Sequence, residues 1–196
     1  STSRFNFKRN PISIIASQDA SVMDKFVSSL VIVLQKIKDT TVHLIDMDNM
    51  IQNTTDIINY NEDKILEKIK TASGGMEVFI FYGIDGYKNT LTTNEFNDFK
   101  SYLVGLKSKP NVRIIIIDSV SKIKTFEYES FYVNNVQAMY GIWVGSGITD
   151  QFTIKSSTYN KETRSQIGND FGYNVVSGRE TLVKLLDFYS NDQDIR

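Results

Sequence analysis

The 196-residue chain contains no cysteine and a single histidine. The lack of cysteine excludes disulfide bonds and thiolate metal sites, and it agrees with a reducing compartment. One histidine is too few for a histidine-rich metal centre and argues against a Ser-His-Asp triad. His43 follows Val42 in a strand-like run, so we expect it to be a residue of a strand face. The sequence therefore predicts no metal ligands.

Two further features are missing: an excess of charge of one sign and a long apolar run. The net charge of −1 gives no electrostatic footprint for nucleic acid or an anionic membrane. No run approaches the roughly 20 apolar residues of a membrane helix. Length and composition indicate a single domain over 1–196, with its core at about 4–187. Since the chain does not start with methionine, we expect it to be a fragment of a larger multi-domain protein.

Apolar runs that are short and rich in Ile and Val predict buried strands, separated by segments of helical periodicity. The predicted strands are Ile12 to Ala16, Val42 to Asp46, Glu77 to Tyr82, Val112 to Asp118 and Tyr140 to Val144. The predicted helical stripes are Val22, Phe26, Leu30, Val33 and Ile37; Ile65, Leu66 and Ile69; and Phe96, Phe99, Leu103 and Leu106, the last opened by a capping box from Thr92 to Glu95.

The segment from Phe126 to Trp143 is rich in aromatic residues and predicts a shorter, less regular helix followed by the fifth strand. Aromatic side chains serve equally as core and as interface anchors. We expect Phe131 and Trp143 to lie in the core. For Tyr128 and Tyr132 both possibilities stay open.

Alternation of strands and helices implies right-handed crossovers, and hence a three-layer α/β sandwich with a mainly parallel sheet. The end of the chain differs. The segment "GYNVVSGRETLVKLL" consists of two apolar runs around a Ser177–Gly178 turn, which predicts an antiparallel hairpin at about 173–186.

The loop after the first strand has the position of a phosphate-binding loop but not its residues. That loop reads G-x-x-x-x-G-K-[ST], in which backbone N–H groups wrap the phosphates, the lysine neutralises them and the hydroxyl binds Mg²⁺. Here Ala16 and Ser21 take the two glycine positions, Val22 takes that of the lysine and Met23 that of the hydroxyl. Every position with a specified chemistry is therefore lost.

Acidic residues stand in this loop where a phosphate would lie. Ser21 and Asp24 have the spacing of a capping box, and Asp24 falls in the first helical turn, where negative charge is favoured. Together with Asp19, they predict an anion site filled by the protein's own acids. An ordinary helix cap in an α/β protein is the alternative at this point.

Two other strands end in acids that suggest enzyme chemistry. Asp46 and Asp48 form an Asp-x-Asp pair after the second strand, similar to the first motif of haloacid-dehalogenase-type phosphatases, although Met50 replaces the Thr or Val expected there. Asp118 ends the fourth strand. Polar residues at the carboxyl ends of parallel strands are the simpler explanation for both.

The third strand ends near Asp85, in the place of the magnesium-supporting aspartate of nucleoside triphosphatases. In those enzymes a glutamate that activates water follows, whereas this chain has Gly86. The sequence Asp85–Gly86 therefore predicts that the acid that would activate water is missing.

Taken in order, these segments resemble the FtsK/SpoIIIE-type ATPase modules, in particular the degenerate last module of the EssC/EccC membrane ATPases of type VII secretion. The resemblance spans nearly the whole chain and rests on segment order and on the ending. The segments are "PISIIAS", "VHLIDMDNM", "EVFIFYGIDGY", "VRIIIIDSV", "YGIWVGSGITDQFTI" and "FGYNVVSGRETLVKLL".

The resemblance implies a RecA-like P-loop NTPase fold and a chain of several ATPase modules behind a membrane anchor, on the cytoplasmic face. It implies neighbouring modules and secreted small helical-hairpin proteins as partners, with no nucleic acid. The departures from the phosphate-loop motif predict no catalytic residue and no bound ATP or Mg²⁺. The vestigial nucleotide pocket would consist of Ala16, Ser17, Gln18, Asp19, Ala20, Ser21 and Asp85.

The sequence leaves three functions open. The first is a module that does not hydrolyse ATP, or binds nucleotide weakly, and acts in substrate recognition or regulation of export. The second is an active enzyme, either an ATPase with atypical phosphate contacts or a phosphatase that uses Asp46 and Asp48. The third is an unrelated Rossmann-like binding domain.

Overall fold

The structure is a computed structural model that describes residues 5–51 and 64–185. The strands are β1 (Ile12–Ser17), β2 (Thr40–Ile45), β3 (Met76–Tyr82), β4 (Val112–Ser119), β5 (Gly141–Val144), β6 (Phe171–Val176) and β7 (Arg179–Lys184). The helices are α1 (Asp24–Gln35), α2 (Ile65–Thr71), α3 (Ile84–Asn89), α4 (Thr93–Val104), α5 (Val120–Ile123) and α6 (Ser130–Asn135).

The strands form one sheet in the order β2-β3-β4-β1-β5-β6-β7. The first five strands are mutually parallel, and β6 and β7 are antiparallel to their neighbours. In the centre, Ile14 pairs with Ile116 and Ala16 with Asp118, so the carboxyl ends of β1 and β4 lie side by side. The predicted mixed α/β sheet is confirmed.

Helices cover both faces of the sheet, which explains why the strand sequences are apolar without alternation. Ile14 packs on one face with residues of α2, α3, α4 and α6. Ile15, the next residue of β1, packs on the other face with α1. The three-layer arrangement is therefore confirmed, with α1 on one face and α2, α3, α4 and α6 on the other.

The terminal hairpin is confirmed as well. Ser177 and Gly178 join β6 to β7 with φ angles of 51° and 76°. Two successive residues of positive φ form the tight turn that fits the twist of paired strands. Glycine adopts such angles at low cost, whereas Ser177 accepts a conformation that few residues with a Cβ adopt.

The helices depart from the sequence prediction in their details. A 3-10 turn, Ala20–Met23, precedes α1 and shifts its buried face. Phe26 and Leu30 are buried as predicted, but Val27, Val31 and Leu34 complete that face, while Val22, Val33 and Ile37 are only partly buried. The predicted capping box from Thr92 to Glu95 is present at α4. The predicted start of the helix at 61–63 lies outside the described residues.

The short helix α3 was not predicted. The predicted end of the third strand at Tyr82 is confirmed. The apolar run continues through Ile84, but this residue belongs to a helix. Gly83, with a φ of 88°, turns the chain into α3 at once. The predicted aromatic helix, which starts at Phe126, corresponds to the end of a 3-10 turn, Lys124–Phe126, and to α6. Asp85 therefore lies in the first turn of a helix and not at a strand end.

Candidate functional site

The topology places a crevice at the carboxyl ends of β1 and β4. The helix that follows β1 packs on one face of the sheet, and those that follow β4 pack on the other. A parallel sheet whose neighbouring connections diverge in this way opens a crevice at that point, where ligands bind in α/β proteins. Ser17 and Ser119, the last residues of the two strands, are register partners at this edge of the sheet.

The loop after β1 is held by its own side chains. Asp19 Oδ1 accepts hydrogen bonds from Ser21 N at 3.0 Å and Ser21 Oγ at 2.8 Å. Ser17 Oγ donates to the Asp19 carbonyl at 2.6 Å. The backbone and side-chain donors of Ser21 lower the pKa of Asp19. The backbone N–H of Ser21, at the position of the second glycine of a phosphate loop, is thus bound to an internal carboxylate.

The predicted capping box between Ser21 and Asp24 is wrong. Asp19 is the N-cap of the 3-10 turn, and Ser21 donates to it. Because this turn comes first, Asp24 is the first residue of α1 and has Met23 before it as the N-cap. The N-cap is therefore Asp19, whereas the sequence pattern assigned this position to Ser21.

The Asp24 carboxylate accepts a hydrogen bond from Tyr82 at the end of β3. The same hydroxyl contacts the Ala20 carbonyl at 2.6 Å. Tyr82 is completely buried, and burial, followed by the bond to Asp24, raises the pKa of its phenol. Tyr82 therefore ties the loop after β1 to the third strand. The sequence analysis missed this residue, since a tyrosine in an apolar strand carries no mark of such a role.

The carboxylate of Asp46 is buried and holds the backbone that follows β2. Its exposure is 0%, and its two oxygens accept hydrogen bonds from Met50 N at 2.9 Å and Ile51 N at 2.8 Å. Burial raises the pKa of this carboxyl against the opposing effect of the two bonds. A nucleophile of a phosphatase must reach its substrate, and in this structure neither oxygen of Asp46 is open to one.

Asp48 is exposed and lies against Gly86 of α3. A Cβ added at Gly86 would overlap Oδ2 of Asp48 and lie 2.8 Å from its Cγ. The carboxylate from the loop after β2 thus fills the space where a side chain at position 86 would begin. A glutamate at that position would require Asp48 to move.

Asp85 and Asp118 lie together at the other side of the crevice. Asp85 forms an ion pair with Lys122 at 3.2 Å. Asp118 accepts hydrogen bonds from Ser119 N at 2.8 Å and, at 3.4 Å, from Asp85 N. Burial raises the pKa of Asp118. Among the described residues, no group of three or more His, Cys, Asp or Glu side chains has a geometry that would hold a metal ion.

The structure places the residues of the predicted vestigial pocket on two sides of the crevice. Ala16 and Ser17 are buried within the sheet. Gln18 is exposed and lies against Gly147, in the segment after β5. Asp85 belongs to α3, across the crevice. The predicted pocket is therefore a set of neighbouring segments around the crevice, and its binding of nucleotide stays a prediction.

The aromatic segment divides between core and surface. Phe131 and Trp143 are buried as expected, and Tyr132 is buried with them at 6% exposure. Tyr128 is 93% exposed. Of the two tyrosines left open by the sequence, one therefore packs in the core and one lies on the surface.

Solved structures of type VII secretion ATPases have the fold of this chain. The cytoplasmic domain of EssC matches it with a TM-score of 0.62 and 13% identity over 92% of this chain and 40% of that one. EssC (ATPases 2 and 3) from Geobacillus thermodenitrificans matches with a TM-score of 0.63 and 12% identity, over 92% and 37%. This is the EssC/EccC ATPase-domain fold. The resemblance inferred from segment order is confirmed at the level of the fold.

A third structure is Thermomonospora curvata EccC (ATPases 2 and 3) in complex with a signal sequence peptide, with a TM-score of 0.57 and 15% identity over 94% of this chain and 38% of that one. This chain thus spans well under half the length of each EssC or EccC structure. No protein-family model matches it, and no curated protein does. Over 5–51 and 64–185, no helix is both long and apolar enough to span a bilayer.

Proposed function

We propose that this chain is one domain of a type VII secretion membrane ATPase, does not hydrolyse ATP by itself, and takes part in recognition of export substrates. The EssC/EccC fold supports a role in that system. The proposal that the chain does not hydrolyse ATP rests on the hydrogen bonds in the loop after β1, where Asp19 binds Ser21 and Asp24 binds Tyr82.

The two carboxylates disfavour binding of a triphosphate in two ways. The N–H of Ser21 already donates to Asp19, so a phosphate would have to replace that bond. Each carboxylate would also repel the phosphate oxygens of a nucleotide placed in this loop, because both groups carry negative charge. No lysine stands in the loop to offset this repulsion.

A thermal-shift titration with ATP and Mg²⁺ tests this part of the proposal. A ligand at about 100 times its Kd adds ~2.7 kcal/mol to stability, which raises the Tm of a domain of this size by about 5–10 °C. We expect no shift at millimolar ATP. A shift that Asp85→Ala abolishes would show that the domain binds nucleotide and would overturn the proposal.

Exposed apolar side chains support a role in substrate binding. Tyr128, Val133 and Phe152 are exposed by 93%, 63% and 76%. A hydrogen bond between Thr153 and Glu127 joins the segments that carry Tyr128 and Phe152. Large exposed aromatic residues are typical of interface anchors. We call Tyr128, Val133 and Phe152 the apolar surface.

The proposed occupant of the apolar surface is a signal sequence of a secreted small helical-hairpin protein. The structure of Thermomonospora curvata EccC contains a signal sequence peptide, which supports this class of ligand. The net charge of −1 supports a protein partner over a nucleic acid.

Binding of a fluorescent signal sequence peptide, followed by anisotropy, tests the apolar surface. The double variant Tyr128→Ser, Phe152→Ser should weaken binding by at least about tenfold, since an interface anchor contributes about 1–2 kcal/mol or more. Leu182→Ser is the matched control, because Leu182 is 53% exposed but lies on β7. Equal binding by the double variant and the control would contradict the assignment of this surface.

We propose further that this domain adjoins other ATPase modules of the same protein, on the cytoplasmic face of a membrane that the rest of the protein reaches. The multi-ATPase neighbours and the share of their length that this chain spans support this arrangement. Co-purification of this domain with the adjoining module, separately expressed, tests it.

A further inference from the structure

A cavity of about 430 Å³ lies beside the candidate site, between the segment that follows β5 and the segment that precedes β6. Its lining includes Thr149, Asp150, Tyr159, Arg164, Ser165 and Gln166. Gly147 also borders it, and Gln18 of the loop after β1 packs against Gly147. A cavity of this volume is within the range of ligand-binding sites.

The walls of the cavity are held in place by hydrogen bonds. Ser146 Oγ donates to the Ile167 carbonyl at 2.9 Å and accepts from Ile167 N at 2.7 Å. The buried Trp143 donates from Nε1 to the Ser146 carbonyl at 3.0 Å. Thr163, which is 3% exposed, accepts from Asn160 N at 2.9 Å. The two segments are therefore fixed to each other before any ligand enters.

The cavity carries one acid and one base that are not used internally. Asp150 and Arg164 both line it. Neither side chain has a hydrogen bond or an ion pair with another described residue, whereas nearby polar groups such as Ser146 and Thr163 are bonded. Two opposite charges directed at one polar cavity fit a ligand that itself carries both signs.

We propose that this cavity binds a polar polypeptide segment that carries an acidic and a basic side chain close together, with the acid on Arg164 and the base on Asp150. Arginine binds a carboxylate with two parallel N–H donors. Thr149, Ser165 and Gln166 supply donors and acceptors for the peptide backbone. The inference rests on the proposed function in substrate recognition, since Asp150 lies two residues before Phe152 of the apolar surface.

A triphosphate fits this cavity less well than a peptide does. Asp150 would repel phosphate oxygens, and Arg164 is the single basic residue among the described residues of the lining. A peptide with both charges pairs with both groups at once, so neither is left facing a like charge.

Blocked Gly-Ser peptides that contain a Glu and a Lys separated by one glycine are the probes, with matched peptides in which Gln replaces Glu, Lys or both. Binding is measured by chemical-shift changes of ¹⁵N-labelled protein. We expect the peptide with both charges to bind about tenfold more tightly than the neutral peptide, with the largest shifts at 147–166. Arg164→Gln should remove the preference for Glu, and Asp150→Asn the preference for Lys.

A charge reversal sharpens this test. Arg164→Glu should bind a peptide with Lys in place of Glu more tightly than the original peptide, which a merely structural role of Arg164 would not produce. Lys161→Gln is the matched control, since Lys161 is exposed in the same segment but does not line the cavity.

Three outcomes would overturn the inference. If the signal sequence peptide binds at the apolar surface while the charged probes ignore Arg164 and Asp150, the cavity assignment fails and the proposed function stands. If neither class of peptide binds the wild-type protein, both fail. If ATP alone shifts the resonances of 147–166 and Arg164→Gln abolishes the effect, the cavity binds nucleotide instead.

Discussion

Replacement of Tyr82 by phenylalanine tests how the loop after β1 is held. The change removes one hydroxyl that donates to Asp24 and contacts the Ala20 carbonyl, and it leaves the buried ring in place. A hydrogen bond to a charged group contributes about 1.5–3 kcal/mol. Since Asp24 is half-buried and water can partly replace the lost donor, we expect a loss of about 1.5–2 kcal/mol.

Urea unfolding measures this loss. With an m-value of about 2 kcal/mol/M for a domain of this size, the midpoint should fall by just under 1 M. Tyr87→Phe is the matched control, because Tyr87 is a buried tyrosine whose hydroxyl has no hydrogen bond among the described residues. It should change stability by no more than about 0.5 kcal/mol.

A double-mutant cycle separates the Tyr82 bond from helix capping. If Asp24 stabilises the fold through Tyr82, then Asp24→Ala should cost about 0.5–1 kcal/mol or more in the wild type and much less in the Tyr82→Phe background. If Asp24 acts only through the dipole of α1, its effect is the same in both backgrounds. A coupling energy below about 0.3 kcal/mol would refute the tie between β3 and the loop.

Three further predictions concern the crevice. Val22→Lys alone should release no phosphate from ATP, because the acids of the loop remain; measurable phosphate release in a coupled assay would contradict this. Gly86→Glu should cost no more than about 1 kcal/mol in urea unfolding, because the group it overlaps is the end of the exposed Asp48 side chain, and Asp48→Ala should relieve that cost. Burial raises the folded-state pKa of Asp118 above 3.8, so the wild type should lose stability relative to Asp118→Asn as pH rises from about 4 through that pKa; parallel pH profiles would refute it.

The strands could be predicted because burial on both faces leaves a distinct pattern. Ile14 and Ile15 point to opposite helical layers, so both must be apolar, and a short run of such residues cannot be an exposed strand or a surface helix. The hairpin could be predicted for a local reason, since Ser177 and Gly178 supply the turn. These signals depend on neighbouring residues and are therefore visible in one sequence.

The contacts of the site could not be predicted because they join distant segments. Tyr82 and Asp24 are 58 residues apart, and nothing in either segment indicates the other. The helix α3 was missed because the apolar run continues past Gly83 through Ile84, which packs in the same core as a strand residue would. The cap was misplaced because the capping pattern assumes that an α-helix begins at once, whereas a 3-10 turn comes first.

The carboxylates around the crevice bind donor groups of the chain itself. Five of them accept hydrogen bonds or ion pairs from the chain itself: Asp19 from Ser21, Asp24 from Tyr82, Asp46 from Met50 and Ile51, Asp85 from Lys122, and Asp118 from Ser119. A phosphate would have to displace the bonded carboxylate from each of these donors. Without these bonds, polar groups at the strand ends would be left unpaired. These bonds therefore satisfy polar groups at the strand ends of a chain that has the EssC/EccC ATPase-domain fold without the phosphate-loop glycines and lysine, and they support the proposal that the loop after β1 does not bind a triphosphate.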